Sequence, residues 1–115
     1  DAVNRLVGEG GDDVLNGAGG NDYLLGMSGN DTMMGGAGND VFLYQSAFGN
    51  DVITDFEAGA GRTDRIWLDD LGVTSFADLA ISDGTDGAVI DLGALGTITL
   101  ENVDTIDLVA DDFIF

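Results

Sequence analysis

The sequence predicts an all-β protein, with a parallel coil of short repeats over residues 1–51 and an antiparallel β cap over residues 52–115. We expect the two regions to form one cooperative unit with at most short helical turns. Two observations lead to this prediction. A nine-residue unit recurs four times without a gap from Gly8 to Leu43. After residue 51 the glycine density falls, and short strings rich in β-branched and aromatic residues follow.

Each repeat starts with Gly and has Gly again at place four, Asp at place six and an apolar residue at place eight. The Asp column is Asp13, Asp22, Asp31 and Asp40, and the apolar column is Leu15, Leu24, Met33 and Phe42. Glycine at places one and four permits positive φ and close approach of a ligand. Asn or Asp at place five tolerates left-handed geometry. Places seven to nine then form a short strand whose middle residue faces inward.

Two units are expected to close one turn of the coil, which stacks Asp13 over Asp31 and Asp22 over Asp40. Carboxylates at the strand spacing of roughly 4.8 Å repel one another unless a cation lies between them. The register extends back to Asn4 in the Asp column. Going forward, Asp51 falls eleven residues after Asp40, so two extra residues are expected to loop out.

The composition excludes many kinds of chemistry. The 115 residues include 22 acidic side chains and three arginines, with no Lys, His or Cys, and the formal charge is −19. Zinc sites with N or S ligands, imidazole bases, thiolate nucleophiles and disulfides are therefore absent. Nucleic-acid binding is disfavoured because it needs clustered cations. We expect the chain to be non-catalytic, since no cleft is predicted around a carboxylate pair such as Asp69 and Asp70. A carboxylate-rich chain favours a hard cation, above all calcium.

The repeats resemble the calcium-binding nonapeptide repeats of RTX (repeats-in-toxin, hemolysin-type) proteins, whose signature is G-G-x-G-x-D-x-U-x. The resemblance implies a right-handed parallel β-roll that binds several Ca²⁺ ions between turns two units apart. The implied ligands are the Asp at place six and backbone carbonyls of places one to four. Carried over, one interior site uses Glu9, Gly11, Asp13, Gly26, Ser28 and Asp31, and a second uses Ala18, Gly20, Asp22, Gly35, Ala37 and Asp40. The same implication extends to Gly17, Gly19, Gly29, Gly36 and Gly38. End sites would involve Asn4, Asp51, Asp55 and Asp64, with empty, solvated edges as the alternative.

The second half contains the β-type strings VITDF, DRIWL, AVIDL, TITL and FIF. Asp83–Gly87 and Gly93–Gly96 are predicted to be turns between antiparallel strands, and Ser75–Leu79 a helical turn with a Ser or Thr cap. This half resembles the region after the repeats in secreted RTX proteases, although the link over residues 60–63 is longer. For residues 112–115 the resemblance implies an uncleaved signal for type I export. A final strand that buries Phe113 and Phe115 is the structural alternative, and both can hold.

The sequence therefore predicts a C-terminal module that folds on binding extracellular calcium and supports type I secretion and folding of an upstream passenger domain. The expected partners are calcium ions, the export machinery and that passenger. The protein is expected to be extracellular, of bacterial origin, without an N-terminal signal peptide or membrane span. The alternative is a carbohydrate- or surface-binding β-roll. An apolar stripe of Tyr23, Leu25, Val41 and Leu43 is left open as a contact for the cap, another domain or a ligand.

Overall fold

The computed structural model describes residues 3–57, 59, 64–69 and 71–115. All regular structure in these residues is either β-strand or a three-residue 3-10 turn, so the predicted all-β fold is confirmed. The strands are β1 Arg5–Val7, β2 Val14–Asn16, β3 Tyr23–Leu25, β4 Thr32–Met34, β5 Val41–Tyr44, β6 Gly49–Ile53, β7 Arg65–Leu68, β8 Ala80–Asp83, β9 Gly87–Asp91, β10 Gly96–Glu101 and β11 Phe113–Ile114. The 3-10 turns are Phe76–Asp78, Gly93–Leu95, Thr105–Asp107 and Ala110–Asp112. Over the same residues, no helix is long and apolar enough to cross a membrane.

The strands form two sheets, and the chain alternates between them from β1 to β6. One sheet has the order β1-β3-β5-β7-β11 and is parallel throughout. The other has the order β2-β4-β6-β10-β9-β8. In the repeats, Leu6 pairs with Leu24 and Leu15 with Met33, eighteen residues apart. The prediction that two nine-residue units close one turn of a parallel coil is confirmed.

The coil lengthens after the fourth repeat. Met33 pairs with Ile53, twenty residues later, as expected from the two extra residues before Asp51. Phe42 pairs with Ile66, twenty-four residues later. The long link at residues 60–63 lies outside the described residues, as does Asp70.

Parallel pairing continues past residue 51 into the second half of the chain. Strands β7 and β11 extend the first sheet, and β10 pairs with β6 in parallel. The antiparallel part consists of β8, β9 and β10. The two predicted turns lie between these strands, whereas β8 itself was not predicted. The cap and the roll therefore share both sheets.

The core lies between the sheets and contains the inward-facing place-eight residues. Leu24, Met33 and Phe42 are fully buried, whereas Leu15, in the first coil, is only partly buried. The other buried members are Tyr44, Phe48, Ile53, Phe56, Ile66, Leu68, Ala88, Ile90, Ile98, Leu100, Val103, Leu108 and Phe113. Burial of these apolar side chains supplies the main favourable term in folding.

Two local predictions for the second half are only partly correct. The final strand exists and buries Phe113, but Phe115 is 38% exposed at the chain end and contacts the ring of Phe113. The helical turn at Phe76–Asp78 is present, with Ser75 in the N-cap position. Its predicted side-chain cap is wrong, because Ser75 makes no side-chain hydrogen bond to the turn.

The apolar stripe is not uniformly exposed. Tyr23 is 41% exposed, whereas Leu25 is buried. Leu25 and Leu43 line a narrow crevice together with Met27 and with Tyr44, Gln45, Ser46 and Phe48. The segment that meets this stripe in the crevice is thus the lengthened turn before β6.

Candidate calcium sites

The turns of the roll are built on left-handed residues at places two and four. The place-four glycines Gly11, Gly20, Gly29 and Gly38 have φ angles of 92°, 104°, 105° and 116°. At place two, Glu9, Ala18 and Met27 take φ angles of 66–69° without being glycine, and Gly36 takes 85°. The place-five residues, which would tolerate left-handed geometry, do not adopt positive φ angles.

Place five instead forms a hydrogen-bonded ladder along each side of the roll. The backbone N–H of Asn30 donates to Asp12 Oδ1 at 2.8 Å, and that of Asn50 donates to Asn30 Oδ1 at 2.9 Å. On the other side, the N–H of Asn39 donates to Asn21 Oδ1 at 2.8 Å. A short polar side chain at place five therefore accepts a bond from the next coil, and this function needs no special φ angle.

Place six forms a second ladder that runs in the opposite direction. Each backbone N–H donates to the Asp Oδ1 of the next coil. The bonds are Asn4 to Asp22 at 2.9 Å, Asp13 to Asp31 at 2.8 Å, Asp22 to Asp40 at 3.0 Å, Asp31 to Asp51 at 2.9 Å and Asp40 to Asp64 at 3.2 Å. The stacking predicted from the repeat is confirmed. The structure also brings Asn4 to the Asp22 turn and Asp51 to the Asp31 turn.

The second oxygen of the stacked carboxylates is left without a partner. The Oδ2 atoms of Asp13, Asp22, Asp31, Asp40 and Asp51 are buried and accept no hydrogen bond. An unsatisfied buried carboxylate oxygen is costly, since it has lost its water and gained nothing in exchange. Five such oxygens in a regular series are acceptors that a bound cation would satisfy.

A carboxylate oxygen and a carbonyl oxygen from successive coils converge beside Gly17, the place-one glycine of the second repeat. A Cβ atom on Gly17 would lie 2.5 Å from Asp22 Oδ2 and 2.6 Å from the carbonyl oxygen of Gly35. Side chains at Gly26 and Gly35 would collide with the carboxylates of Asp31 and Asp40. The missing side chain leaves the oxygens in reach of one another, which suits an ion that takes several oxygen ligands.

Burial dominates the electrostatics of the column. It raises the pKa of Asp31 and of Asp40, and the neighbouring carboxylates of Asp13 and Asp22 raise these pKa values further. The same causes raise the pKa of Asp51 to about 7 and that of Asp64 to about 6. Burial and the neighbouring negative charges therefore oppose ionisation of these carboxylates.

Carboxylates alone do not make a complete site. Within the part of the chain that the structure describes, no group of three acidic side chains converges on one point. Backbone carbonyls must therefore supply the remaining ligands. The exposed turn residues Glu9, Ala18, Ser28 and Ala37 lie at the rim of the roll. Of their carbonyls, that of Ala18 already accepts the N–H of Ala37 at 2.8 Å.

Close backbone contacts pair the predicted ligand turns. The carbonyl oxygens of Gly11, Ala18 and Gly20 lie where side chains at Gly29, Gly36 and Gly38 would otherwise project. Gly19 forms an isolated parallel bridge with Ala37. The structure thus brings together the turns of each predicted interior site.

At the last coil the carboxylates are satisfied by backbone groups. Asp55 accepts the N–H groups of Gly35 at 3.0 Å and Gly36 at 2.8 Å. Asp64 accepts the N–H of Asp40 through Oδ1 and that of Glu57 through Oδ2 at 3.1 Å. These two residues complete the Asp40 turn. Asp51 does not contribute to the Asp40 turn, because it lies in the column of Asp13 and Asp31.

The structural role of Asp112 was not predicted from the sequence. Its side chain is buried and accepts the N–H of Gly59 at 2.9 Å and that of Val109 at 2.9 Å. No periodicity distinguishes it from the exposed Asp111 beside it, so the sequence offered no signal.

Comparisons with known proteins agree with this geometry. The family model for the RTX calcium-binding nonapeptide repeat matches residues 7–42 in four copies. No curated protein matches the chain as a sequence relative. Among solved structures, extracellular lipase LipA from Serratia marcescens is similar with a TM-score of 0.66 and 25% identity over 91% of this chain. The AlgE6R3 subunit of the Azotobacter vinelandii mannuronan C5-epimerase is similar with a TM-score of 0.64 and 27% identity, over 98% of this chain and 78% of that one.

The chain spans only 20% of the lipase's length, so the similarity covers a module of that enzyme. The matched repeats, the parallel pairing of successive coils from β1 to β7 and the ladder of half-satisfied carboxylates lead to the same assignment. Residues 7–42 match the RTX calcium-binding nonapeptide repeat in four copies, and these repeats support a calcium-binding β-roll module.

Proposed function

We propose that this chain is a non-catalytic module that folds when it binds extracellular calcium. The observation that supports the proposal is the series of buried, unpartnered Oδ2 atoms along the Asp columns. Without a cation, three costs oppose folding of the roll. They are the unpartnered oxygens, the repulsion within a formal charge of −19 and the conformational entropy lost when 19 glycines are ordered. The binding free energy of calcium then becomes folding free energy.

The interior sites are proposed to use the two ligand sets predicted from the repeats. The first joins the turns of Asp13 and Asp31, with Glu9, Gly11, Gly26 and Ser28. The second joins the turns of Asp22 and Asp40, with Ala18, Gly20, Gly35 and Ala37. Asp22 Oδ2 and the Gly35 carbonyl oxygen both lie beside Gly17, and this arrangement supports the second set most directly. Extracellular calcium modules bind with dissociation constants on the order of 10⁻⁴ to 10⁻³ M, so such sites stay empty in a cytosol low in calcium.

The module is further proposed to serve type I export of an upstream passenger domain and to act outside a bacterial cell. Export would read the C-terminal segment, residues 112–115, in the unfolded chain. In the folded chain Phe113 is buried and Phe113–Ile114 pairs with β7. Calcium-driven folding would then hinder return of the chain and help the passenger to fold.

A second candidate is a carbohydrate- or surface-binding β-roll. The similarity to a subunit of a mannuronan C5-epimerase favours this candidate. An acidic polysaccharide would need a basic surface, and three arginines cannot provide one. A neutral glycan stacking on the exposed Tyr23 remains compatible with the chain. Binding of soluble neutral glycans that is lost in Tyr23→Ala would support this candidate.

Circular dichroism during a calcium titration tests the main proposal, with magnesium as the control ion. The spectrum should change from disordered to β-rich as calcium approaches ~5 mM, in the extracellular range. Magnesium should have little effect, because it dehydrates reluctantly and demands octahedral geometry. Equal β content in chelator and in calcium would overturn the proposal.

A further inference from the structure

Asn16 is the one asparagine of the chain that precedes a glycine, since every other asparagine precedes Asp, Arg or Val. Such a pair is prone to lose the side-chain amide, because a following glycine has no side chain to hinder attack by its own backbone nitrogen. The pair lies where β2 ends and the second repeat begins. Gly17 is thus the place-one glycine that lies beside Asp22 Oδ2 and the Gly35 carbonyl oxygen.

The loss of the amide needs water as its only co-reactant. The Gly17 nitrogen gives its proton to solvent and bonds to Cγ of Asn16. The bond from Cγ to the side-chain nitrogen breaks, and that nitrogen takes up a proton from solvent and leaves as ammonia. Water then opens the resulting succinimide ring at either of its two carbonyl carbons. One opening gives aspartate, and the other gives isoaspartate, whose backbone runs through the former side chain and is one atom longer.

The folded roll holds this pair away from the reaction. The N–H of Gly17 donates to the carbonyl oxygen of Met34 at 2.9 Å, and Asn16 pairs with Met34 at the end of β2. The Oδ1 of Asn16 accepts the N–H of Ala18 at 3.0 Å. Asn16 is exposed, but Gly17 is buried. The nitrogen that must lose a proton therefore has little access to a base in solvent.

We propose that Asn16 is a deamidation site that folding of the roll protects. In the unfolded chain the Gly17 nitrogen is free to attack. In the folded chain the attack requires the end of β2 to separate from β4, so only the locally open fraction reacts. The inference rests on the proposed function, because calcium binding is taken there as the event that folds the roll.

The isoaspartate product is incompatible with the calcium turn. Its extra backbone atom enters the chain directly before Gly17, where even one added Cβ would lie 2.5 Å from Asp22 Oδ2 and 2.6 Å from the Gly35 carbonyl oxygen. The turn cannot shift to make room without breaking the bond from Gly17 to Met34. A chain that stays unfolded without calcium therefore loses, with time, its ability to close the second interior site.

Mass spectrometry of peptide fragments after incubation in mildly alkaline buffer tests the protection. The samples are the wild type in saturating calcium, in chelator, and in chelator with guanidinium chloride, each followed by circular dichroism. Asn16 should lose its amide at least about tenfold more slowly in calcium than in guanidinium chloride, because only the open fraction reacts. Asn21, which precedes Asp22, is the internal control and should stay largely intact in all three samples.

The samples separate failure of the inference from failure of the proposed function. Equal rates at Asn16 in calcium and in guanidinium chloride would overturn the protection by folding. Equal rates at Asn16 and Asn21 in guanidinium chloride would overturn the role of Gly17. A chelator sample that stays β-rich, with Asn16 as protected as in calcium, would instead overturn the proposed function.

A matched variant tests the effect of the isoaspartate product. The chain aged in guanidinium chloride is separated into its products, which are returned to native buffer and titrated with calcium. Asn16→Asp carries the same charge on an unaltered backbone and keeps an acceptor for the N–H of Ala18, so it should fold like the wild type. The isoaspartate form should need at least about tenfold more calcium for the same β content. Equal calcium dependence of the two would show that the roll tolerates the extra atom and would overturn this consequence.

Discussion

The backbone N–H of Asp22 donates to Oδ1 of Asp40, eighteen residues later, while the Oδ2 of Asp40 stays buried without a partner. One carboxylate thus links two coils with one oxygen and leaves the other for a ligand. The same division occurs at Asp31 and Asp51. This half-satisfied state distinguishes Asp31, Asp40 and Asp51 from Asp55 and Asp64, whose oxygens both accept backbone N–H groups.

Asp31→Asn should weaken calcium binding by about tenfold or more. The substitution keeps an acceptor for the N–H of Asp13 but removes the charge and the free oxygen, an interaction worth at least ~1.4 kcal/mol. Isothermal titration calorimetry measures the change. Asp86→Asn, at an exposed residue outside the roll, removes the same charge and serves as the control. Equal weakening in both variants would mean that net charge, and not the ladder, sets the affinity.

Gly29→Ala should destabilise the calcium-bound protein more than Gly11→Ala. Both glycines have left-handed φ angles, 105° and 92°, so each substitution costs about 1–2 kcal/mol of backbone strain. A Cβ at Gly29 would also collide with the carbonyl of Gly11, whereas the space around Gly11 is open. That collision should cost roughly 1–3 kcal/mol more. Urea unfolding in calcium measures both variants, and equal free energies of unfolding would show that the coils can separate without cost.

Without calcium, the chain should fold better in mild acid than at neutral pH. Burial raises the pKa of Asp51 to about 7 and that of Asp64 to about 6, above the ordinary Asp value. The folded state therefore binds more protons than the unfolded state. Its stability is greatest below about pH 4 and falls as the pH rises through 6 and 7.

Circular dichroism in metal-free buffer between pH 4 and 8 checks this prediction. Calcium should show the opposite trend, because protons compete with it for the same oxygens and weaken its binding as the pH falls. In Asp51→Asn the loss of structure near pH 7 should be reduced. A metal-free β signal that rises with pH would contradict the assignment.

Asp112→Ala should destabilise the folded module by ~2–3 kcal/mol. The buried carboxylate accepts the N–H groups of Gly59 and Val109, which would be left without partners. Asp111→Ala alters the exposed neighbour and should change stability by less than about 0.5 kcal/mol. Thermal unfolding in saturating calcium compares the two. A secretion assay on both variants would then separate a role in folding from a role in export.

The sequence by itself determined the local design of the roll. The nine-residue period places Asp22 and Asp40 in one column, puts Leu24 and Phe42 in the core and identifies the insertion before Asp51. These features follow from periodicity, because the side chains of each short strand alternate between the core and the outer face of the roll. The resemblance to the RTX family added calcium and the carbonyl ligands to that design.

Only the tertiary structure decided how the second half completes the roll. It places Asp64 in the ladder twenty-four residues after Asp40, adds Phe113–Ile114 as the last parallel strand and brings the side chain of Tyr44 into the core. No sequence period predicts these contacts, because they join segments far apart in the chain through packing against a shared core. The number of half-satisfied carboxylates, and hence the chemistry left for calcium, depends on which backbone N–H groups that packing brings to each oxygen.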